Sequence, residues 1–113
     1  MNQSEQLIGQ LQTYNQQMQS ILMQKQTLSM QVKEIEKALE EIEDADDDIY
    51  RSIGPVLIKV GKDKLRKDLQ EEKEEAEIKL KTVDKQEIRI RDKVNEIQEK
   101  FQETPGEGGL FEL

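Results

Sequence analysis

The sequence predicts an all-α dominated fold, in which a long antiparallel two-helix coiled coil is joined by one small β-hairpin. Apolar residues recur at alternating steps of four and three in both halves of the chain, the 3.5-residue period of a coiled-coil seam. Between the halves the period changes to two, as in a strand. The composition is 37% charged and 34% hydrophobic, which suits exposed helices better than a rounded core.

Length, charge and composition exclude several classes of function. The 113 residues suffice for a single domain over 1–113, with a net charge of −8 and neither histidine nor cysteine. An acidic chain is a poor nucleic-acid binder, and without cysteine it forms no disulfide or thiolate metal site. No apolar run approaches the roughly 20 residues that cross a bilayer, and the N-terminus lacks a secretion signal. We expect a cytoplasmic protein that binds neither nucleic acid nor membranes.

The first helix is predicted over about residues 4–46. Asn2 and Glu5 have the spacing of a capping box at its start. The acid run over residues 40–48 opposes the helix dipole and should end it. That run is no calcium loop, because Ile49 and Pro55 stand where glycine and glutamate are needed. The seam of this helix is Leu7, Leu11, Tyr14, Met18, Ile21, Lys25, Leu28, Val32, Ile35, Leu39 and Ile42.

The middle segment, about residues 47–61, is predicted to be a hairpin with strands at 49–53 and 56–60. Gly54 and Pro55 supply the turn, and β-branched residues dominate the strands. A lone two-stranded hairpin is marginal in water, so its edges should pair with strands from other subunits. The predicted assembly residues are Ile49, Tyr50, Ile53, Gly54, Val56, Leu57, Ile58 and Val60.

The second helix is predicted over residues 62–103, with Asp63 as a possible cap and Pro105 as its stop. A flexible tail, 104–113, follows it and ends in the apolar residues Leu110–Leu113; the tail has no assigned role. The seam of the second helix is Leu69, Lys73, Ala76, Leu80, Val83, Glu87, Ile90, Val94, Ile97 and Phe101.

Two seam charges are predicted to pair. A compact hairpin makes the helices antiparallel, which places Leu7 opposite Phe101 and Lys25 near Glu87. Each of these two charges is otherwise isolated on an apolar seam, so we expect an ion pair that sets the register.

The sequence holds no catalytic constellation: histidine, cysteine and a phosphate-binding loop are all missing. We therefore expect no enzyme activity, no cofactor and no metal. A basic cluster follows the hairpin, at Lys59, Lys62, Lys64, Arg66 and Lys67. Compensation of the acid run is its expected role, and an anionic-ligand site is the alternative.

Some apolar residues lie off the seams, and two interpretations stay open for them: packing against another subunit, or an adaptable surface for varied partners, to which methionine is suited. They are Ile8, Leu22, Met23, Met30, Ile78 and Ile88. At the end away from the hairpin the coil should fray and expose an apolar tip; a frayed end without function is the alternative. The predicted apolar tip is Leu7, Ile8, Leu11, Ile97 and Phe101.

The segment DDDIYRSIGPVLIKVGKDKLRKDLQEEKE resembles the signature of beta-type prefoldin subunits. An acidic helix end leads into Tyr50, Arg51, Ile53 and Gly54, and then into an apolar strand from Val56 to Val60. The flanking helices also resemble that family, over roughly residues 5–103, and a single hairpin matches the beta type. The Leu110–Leu113 tail has no counterpart in this pattern, and three roles stay open for it: extension of the surface that binds non-native polypeptides, contact with a chaperonin, or none.

The resemblance implies a hexamer of two alpha-type and four beta-type subunits, with a platform built from the hairpins. Paired helices hang from it and carry both chain termini at their free tips. The tips are expected to hold non-native polypeptides and to pass them to a group II chaperonin without ATP. The alternative function is a structural coiled-coil tether or assembly module that binds no client.

Overall fold

The computed structural model describes residues 2–103, and the predicted tail at 104–113, with Leu110–Leu113, lies outside them. Helix α1 spans Gln3–Glu43, strand β1 Ile49–Ile53, strand β2 Val56–Val60 and helix α2 Lys62–Glu103. The predicted fold class is therefore confirmed: two long helices are joined by a two-stranded antiparallel hairpin.

The N-terminus of α1 is capped by Asn2. Its Oδ1 atom accepts a hydrogen bond from the backbone N–H of Glu5 at 2.9 Å, which is the first half of the predicted capping box. The helix ends at Glu43, before the predicted residue 46, and has no basic residue in its last turn.

The C-terminal end of α1 is capped from α2. Lys62 Nζ donates hydrogen bonds to the carbonyl oxygens of Glu43 at 3.2 Å and Ala45 at 3.4 Å. Because the last carbonyls of a helix have no partner within it, this lysine supplies both the missing donor and the favourable charge. Asp63, the predicted cap of α2, is instead the second residue of that helix and accepts from Arg66 Nη1 at 2.9 Å.

The hairpin has the predicted strands. Ile49 pairs with Val60, and Ile53 pairs with Val56 beside the turn. Gly54 has φ +57°, which L side chains rarely adopt, and it stands at the first central turn position. A two-residue turn of this kind matches the twist of the strands, and Pro55 is tolerated at the second position.

Two compact units make up the chain, and the first is the hairpin unit, Gln26–Lys81. Its helical segments run antiparallel, since Glu43 Oε1 lies 2.6 Å from Arg66 Nε and Glu36 Oε1 lies 3.4 Å from Lys73 Nζ. Leu65 belongs to its core although the predicted seam began at Leu69, because two successive steps of four break the alternation there. The buried core is Ile35, Ile42, Leu65 and Leu69, against which Ala38, Leu39, Ile49 and Val60 pack.

The second is the terminal unit, described over residues 2–25 and 82–103. The predicted Lys25–Glu87 pair is confirmed, with Nζ and Oε2 3.0 Å apart; Lys25 Nζ also lies 3.1 Å from Asp84 Oδ1. The hydrogen bond with Glu87, and then that with Asp84, raises the pKa of Lys25. The buried apolar residues of the terminal unit are Leu7, Ile21, Val83, Ile90, Ile97 and Phe101.

The charged layer at Lys25 is expected to specify register at a cost in stability. In the double variant Lys25→Leu/Glu87→Leu, two leucines extend the apolar seam, and the melting temperature should rise by about 5 °C. Register should become less unique, seen as additional oligomers in native mass spectrometry. Lys73→Leu, which removes another seam charge, is the matched control. A double variant that melts lower than the parent chain would contradict this role.

Candidate functional site

The hairpin exposes apolar side chains on both faces. Opposed residues of an antiparallel pair point to the same side, so Ile49 and Val60 share one face with Ile53 and Val56. Ile49 and Val60 pack on the core of the hairpin unit, whereas the end near the turn is open. The exposed apolar residues, with their exposed fractions, are Tyr50 at 55%, Ile53 at 57%, Val56 at 53%, Leu57 at 69% and Ile58 at 43%.

Both edges of the hairpin are free within residues 2–103, where the sheet has two strands. In a hairpin with a two-residue turn, the residues flanking the turn exchange hydrogen bonds and the pattern then alternates. The backbone N–H and C=O groups of Tyr50 and Ser52 therefore point outward from β1, and those of Leu57 and Lys59 from β2. Unpaired edges of this kind are templates for another strand.

One ion pair anchors the hairpin to α2, and another compensates a carboxylate of the acid run. Arg51 Nη2 lies 2.6 Å from Glu72 Oε1, and Lys59 Nζ lies 3.4 Å from Asp48 Oδ2. The predicted compensation of the acid run by the basic cluster is thus confirmed at Lys59. It is also confirmed at Arg66, which pairs with Glu43 at the end of α1. The hydrogen bond from Arg66 to Glu43, the largest influence on this group, raises the pKa of the guanidinium.

All five predicted tip residues lie in one cluster of the terminal unit. Leu7, Ile97 and Phe101 form its buried centre, and Ile8 and Leu11 pack against them half-buried. The centre is only 3–4% exposed, so the accessible tip expected from a frayed coil is not found at these three positions. The helices stay paired here because Leu7, Ile97 and Phe101 form one buried cluster, and this centre becomes accessible only if the helices separate.

Gly9 weakens α1 beside this cluster. It is exposed inside the helix, and a Cβ atom built there meets nothing within 4 Å. Packing therefore does not require glycine, while glycine in a helix interior costs about 1 kcal/mol relative to alanine. The first turns of α1 are thus easier to unwind than the rest of the helix. Sequence inspection could have found this signal, since Gly9 directly follows the predicted tip residue Ile8.

Most apolar residues off the seams are exposed. Met23 is the most exposed at 70% and Leu22 the least at 46%, with Met30, Ile78 and Ile88 between them. Their positions fit either of the two interpretations, packing on another subunit or an adaptable surface. Among the described residues, no group of three or more acidic side chains is placed to hold a metal ion. No helix within residues 2–103 is long and apolar enough to cross a bilayer.

Comparison with known proteins agrees with this geometry. A family model described as prefoldin subunit matches residues 5–107. Prefoldin subunit beta of Pyrococcus horikoshii is 40% identical over 102 residues, which cover 88% of this chain and 87% of the relative. The Archaeoglobus fulgidus protein of that name is 36% identical and covers 88% of each.

A solved structure is also similar. The crystal structure of the prefoldin beta subunit from Thermococcus strain KS-1 has a TM-score of 0.84 and 33% sequence identity, covering 92% of this chain and 93% of that one. The match therefore extends through both helices and the hairpin rather than a coiled-coil stretch alone. The chain belongs to the prefoldin family of chaperone subunits, and it is of the beta type.

Proposed function

We propose that this chain is one of four beta-type subunits in a hexamer with two alpha-type subunits. The hexamer holds non-native polypeptides in the cytoplasm and delivers them to a group II chaperonin without ATP. The observation that carries this proposal is the apolar hairpin, which has two free edges and therefore requires partner strands. The chain that bears it is a member of the prefoldin family. The proposal includes no enzymatic step, cofactor, nucleic acid or membrane.

The hairpin is proposed as the assembly surface. Ile53, Val56 and Ile58 lie on one face and Tyr50 and Leu57 on the other, so strands added at the edges would extend two apolar faces at once. Burial of this area would drive association, and ladder hydrogen bonds would set its geometry. The remaining predicted residues, Ile49 and Val60, join the surface to the helix core, and Gly54 sets the turn.

The tip cluster is proposed as the client site, in an opened state. Unfolded chains expose apolar stretches of varied sequence, so a capture site must be apolar and adaptable. Separation of the helix ends at Gly9 would release Leu7, Ile8, Leu11, Ile97 and Phe101 from one another. Several such tips in one hexamer would retain a client through effective concentration although each contact is weak.

The alternative function, a tether or assembly module without a client, uses the same hairpin. It gives no reason for a glycine that weakens the helix beside an apolar cluster. The two functions differ in one measurable property, the capacity to keep an unfolded protein from aggregating.

Native mass spectrometry and an aggregation assay together test the proposal. With an alpha-type subunit, the chain is expected to give a complex with the mass of two alpha and four beta subunits. This complex should slow the aggregation of a chemically unfolded protein, and a group II chaperonin should then accept that protein. A complex that forms but leaves aggregation unchanged favours the tether, and failure to form any complex contradicts the assembly proposal.

A further inference from the structure

We infer that the tail, residues 104–113, docks on its own chain in a groove along one face of the terminal unit. The tail carries apolar and acidic residues, and the groove offers an apolar half and a basic half to receive them. Docking of this kind requires neither assembly nor a client.

The groove consists of two open cavities, of about 460 and about 350 Å³, that join at Gln17. Their lining residues recur at steps of three and four, which places them on one face of each helix. On α1 they include Gln10, Tyr14, Gln17 and Ile21, and on α2 Gln86, Ile90, Lys93, Ile97 and Lys100. We call this continuous surface the tip groove; along α2 it runs for about 20 Å.

The tip groove is basic although the chain carries a net charge of −8. Its α2 wall bears Arg89, Lys93 and Lys100. The one acid of the lining, Glu96, lies 3.6 Å from Lys93 Nζ, and Arg89 belongs to no ion pair in the described part of the chain. The α1 wall adds no charge, since residues 6–24 contain no acidic or basic side chain. The tail has two acidic residues and no basic one, so the two surfaces attract each other.

The tail begins beside the tip groove and is long enough to follow it. Helix α2 ends at Glu103, about one turn beyond Lys100. From Glu103 back to Ile90 is about 20 Å along the helix, and the eight tail residues 104–111 span about 26 Å when extended. Pro105 and Gly106 favour a turn at the start of the tail, so Phe111 can reach the level of Ile90.

The order of residues in the tail matches the order of surfaces in the tip groove. From the end of α2, the groove is first mostly polar, around Lys100, and then mostly apolar, around Ile90. Along the tail, Glu107 comes first and the apolar pair Leu110–Phe111 follows. An extended tail running back along α2 would therefore bring its acid to the basic half and its apolar pair to the apolar half.

Covalent attachment favours the chain's own tail over other occupants. A short linker gives an effective concentration on the order of millimolar, so a tail of millimolar affinity already fills about half of the grooves. The tail of a second copy, present at micromolar concentration, would be about a thousandfold more dilute.

Docking would have a consequence for the tip, which rests on the proposed function. Tyr14 and Ile97 line the tip groove and also belong to the tip cluster, Ile97 in its buried centre and Tyr14 packed against it. A docked tail therefore covers one side of the cluster and competes with a client for it.

Thiol alkylation of the full chain tests the docking. The chain has no cysteine, so Gln17→Cys places a single thiol in the middle of the tip groove. Gln16→Cys, also an exposed glutamine but outside the lining, is the matched control. Iodoacetamide should modify position 17 at least about threefold more slowly in the parent tail than in the Leu110→Ser/Phe111→Ser tail, which keeps both acids. Position 16 should change by less than about 1.5-fold.

Equal rates at position 17 with the two tails, in chains of equal helix content by circular dichroism, would overturn the docking. Protection that rises with chain concentration would assign the groove to the tail of a second copy and overturn the intramolecular occupant. The measurement uses neither an alpha-type subunit nor a client, so its outcome does not depend on whether the proposed function holds.

The role of charge is tested at Arg89. Glu112 follows the apolar pair of the tail and would lie near this arginine, so Arg89→Gln should reduce the protection at position 17 by about twofold. Lys85→Gln removes the same charge at an exposed position of α2 outside the lining and should leave the protection unchanged. Undiminished protection in Arg89→Gln would overturn the selection of the tail by charge.

The competition is tested in the assembled hexamer. With the Leu110→Ser/Phe111→Ser tail, affinity for an unfolded client should rise by about threefold, the factor by which the accessible fraction of the groove increases. A lower affinity would show that the tail helps to bind the client, and would overturn the competition.

Discussion

Ile53→Asp is expected to abolish assembly with alpha-type subunits while the isolated chain stays folded. Ile53 is 57% exposed, so aspartate there remains solvated in the free chain, and surface changes of this kind alter stability by about 0.5 kcal/mol or less. In the assembled state the same carboxylate would be buried without a partner. An uncompensated buried charge costs about 3–5 kcal/mol, which corresponds to an association at least about 100-fold weaker.

Met23→Asp is the matched control for this prediction. Met23 is 70% exposed, also apolar, and lies in the terminal unit instead of the hairpin. Native mass spectrometry should give the hexamer with Met23→Asp and only smaller species with Ile53→Asp, while circular dichroism shows equal helix content. A normal hexamer with Ile53→Asp would remove the hairpin as the assembly surface.

Removal of residues 1–12 and 100–113 is expected to abolish most of the suppression of client aggregation and to leave the hexamer intact. The truncation deletes Leu7, Ile8, Leu11 and Phe101, and of the tip cluster it leaves Ile97 alone, with Tyr14 beside it. The hairpin lies in the other unit and keeps all its residues. Aggregation of an unfolded client is measured by light scattering, with native mass spectrometry on the same samples. Full protection by the truncated hexamer would show that the tip does not capture clients.

Gly9→Ala tests whether client capture requires the tip to open or only requires the tip residues to be present. Every tip residue stays, while the helix gains about 1 kcal/mol, which lowers the opened fraction by about fivefold. If capture requires opening, client retention should fall by a similar factor. Ser20→Ala, at another exposed position of α1 outside the tip cluster, is the control and should leave retention unchanged. Unchanged retention in Gly9→Ala, together with loss on truncation, would mean that the closed tip already binds clients.

Much of the fold was predictable because its signals are local. The four-three alternation placed Leu7, Ile21 and Ile35 on a seam, and all three are buried. The antiparallel pairing that a compact hairpin imposes brought Lys25 to Glu87, as the 3.0 Å contact confirms. Strand bounds followed from the change of period and from Gly54, whose positive φ a tight turn favours.

Other features depended on how elements meet in space. Lys62 caps α1 although it belongs to α2, and Leu65 enters the core outside the regular seam. Periodicity assigns a residue to a face, but it does not say which carbonyl a lysine reaches or where a seam shifts as strands pack against it. A groove beside β1 is likewise formed by residues of both helices and of that strand, so no single segment of the sequence predicts it.

The tip cluster likewise combines a feature that the sequence predicted with one that depends on tertiary packing. Composition and spacing identified the five apolar residues, since a seam residue stays apolar wherever its helix pairs. Whether that apolar surface is open or closed depends on a balance between the helix weakness at Gly9 and the packing of Leu7 with Ile97 and Phe101, which come from the other end of the chain. Local pattern therefore specified which residues form the seam and the hairpin, and tertiary packing decided which of them solvent and partners can reach, because burial is a property of two surfaces together.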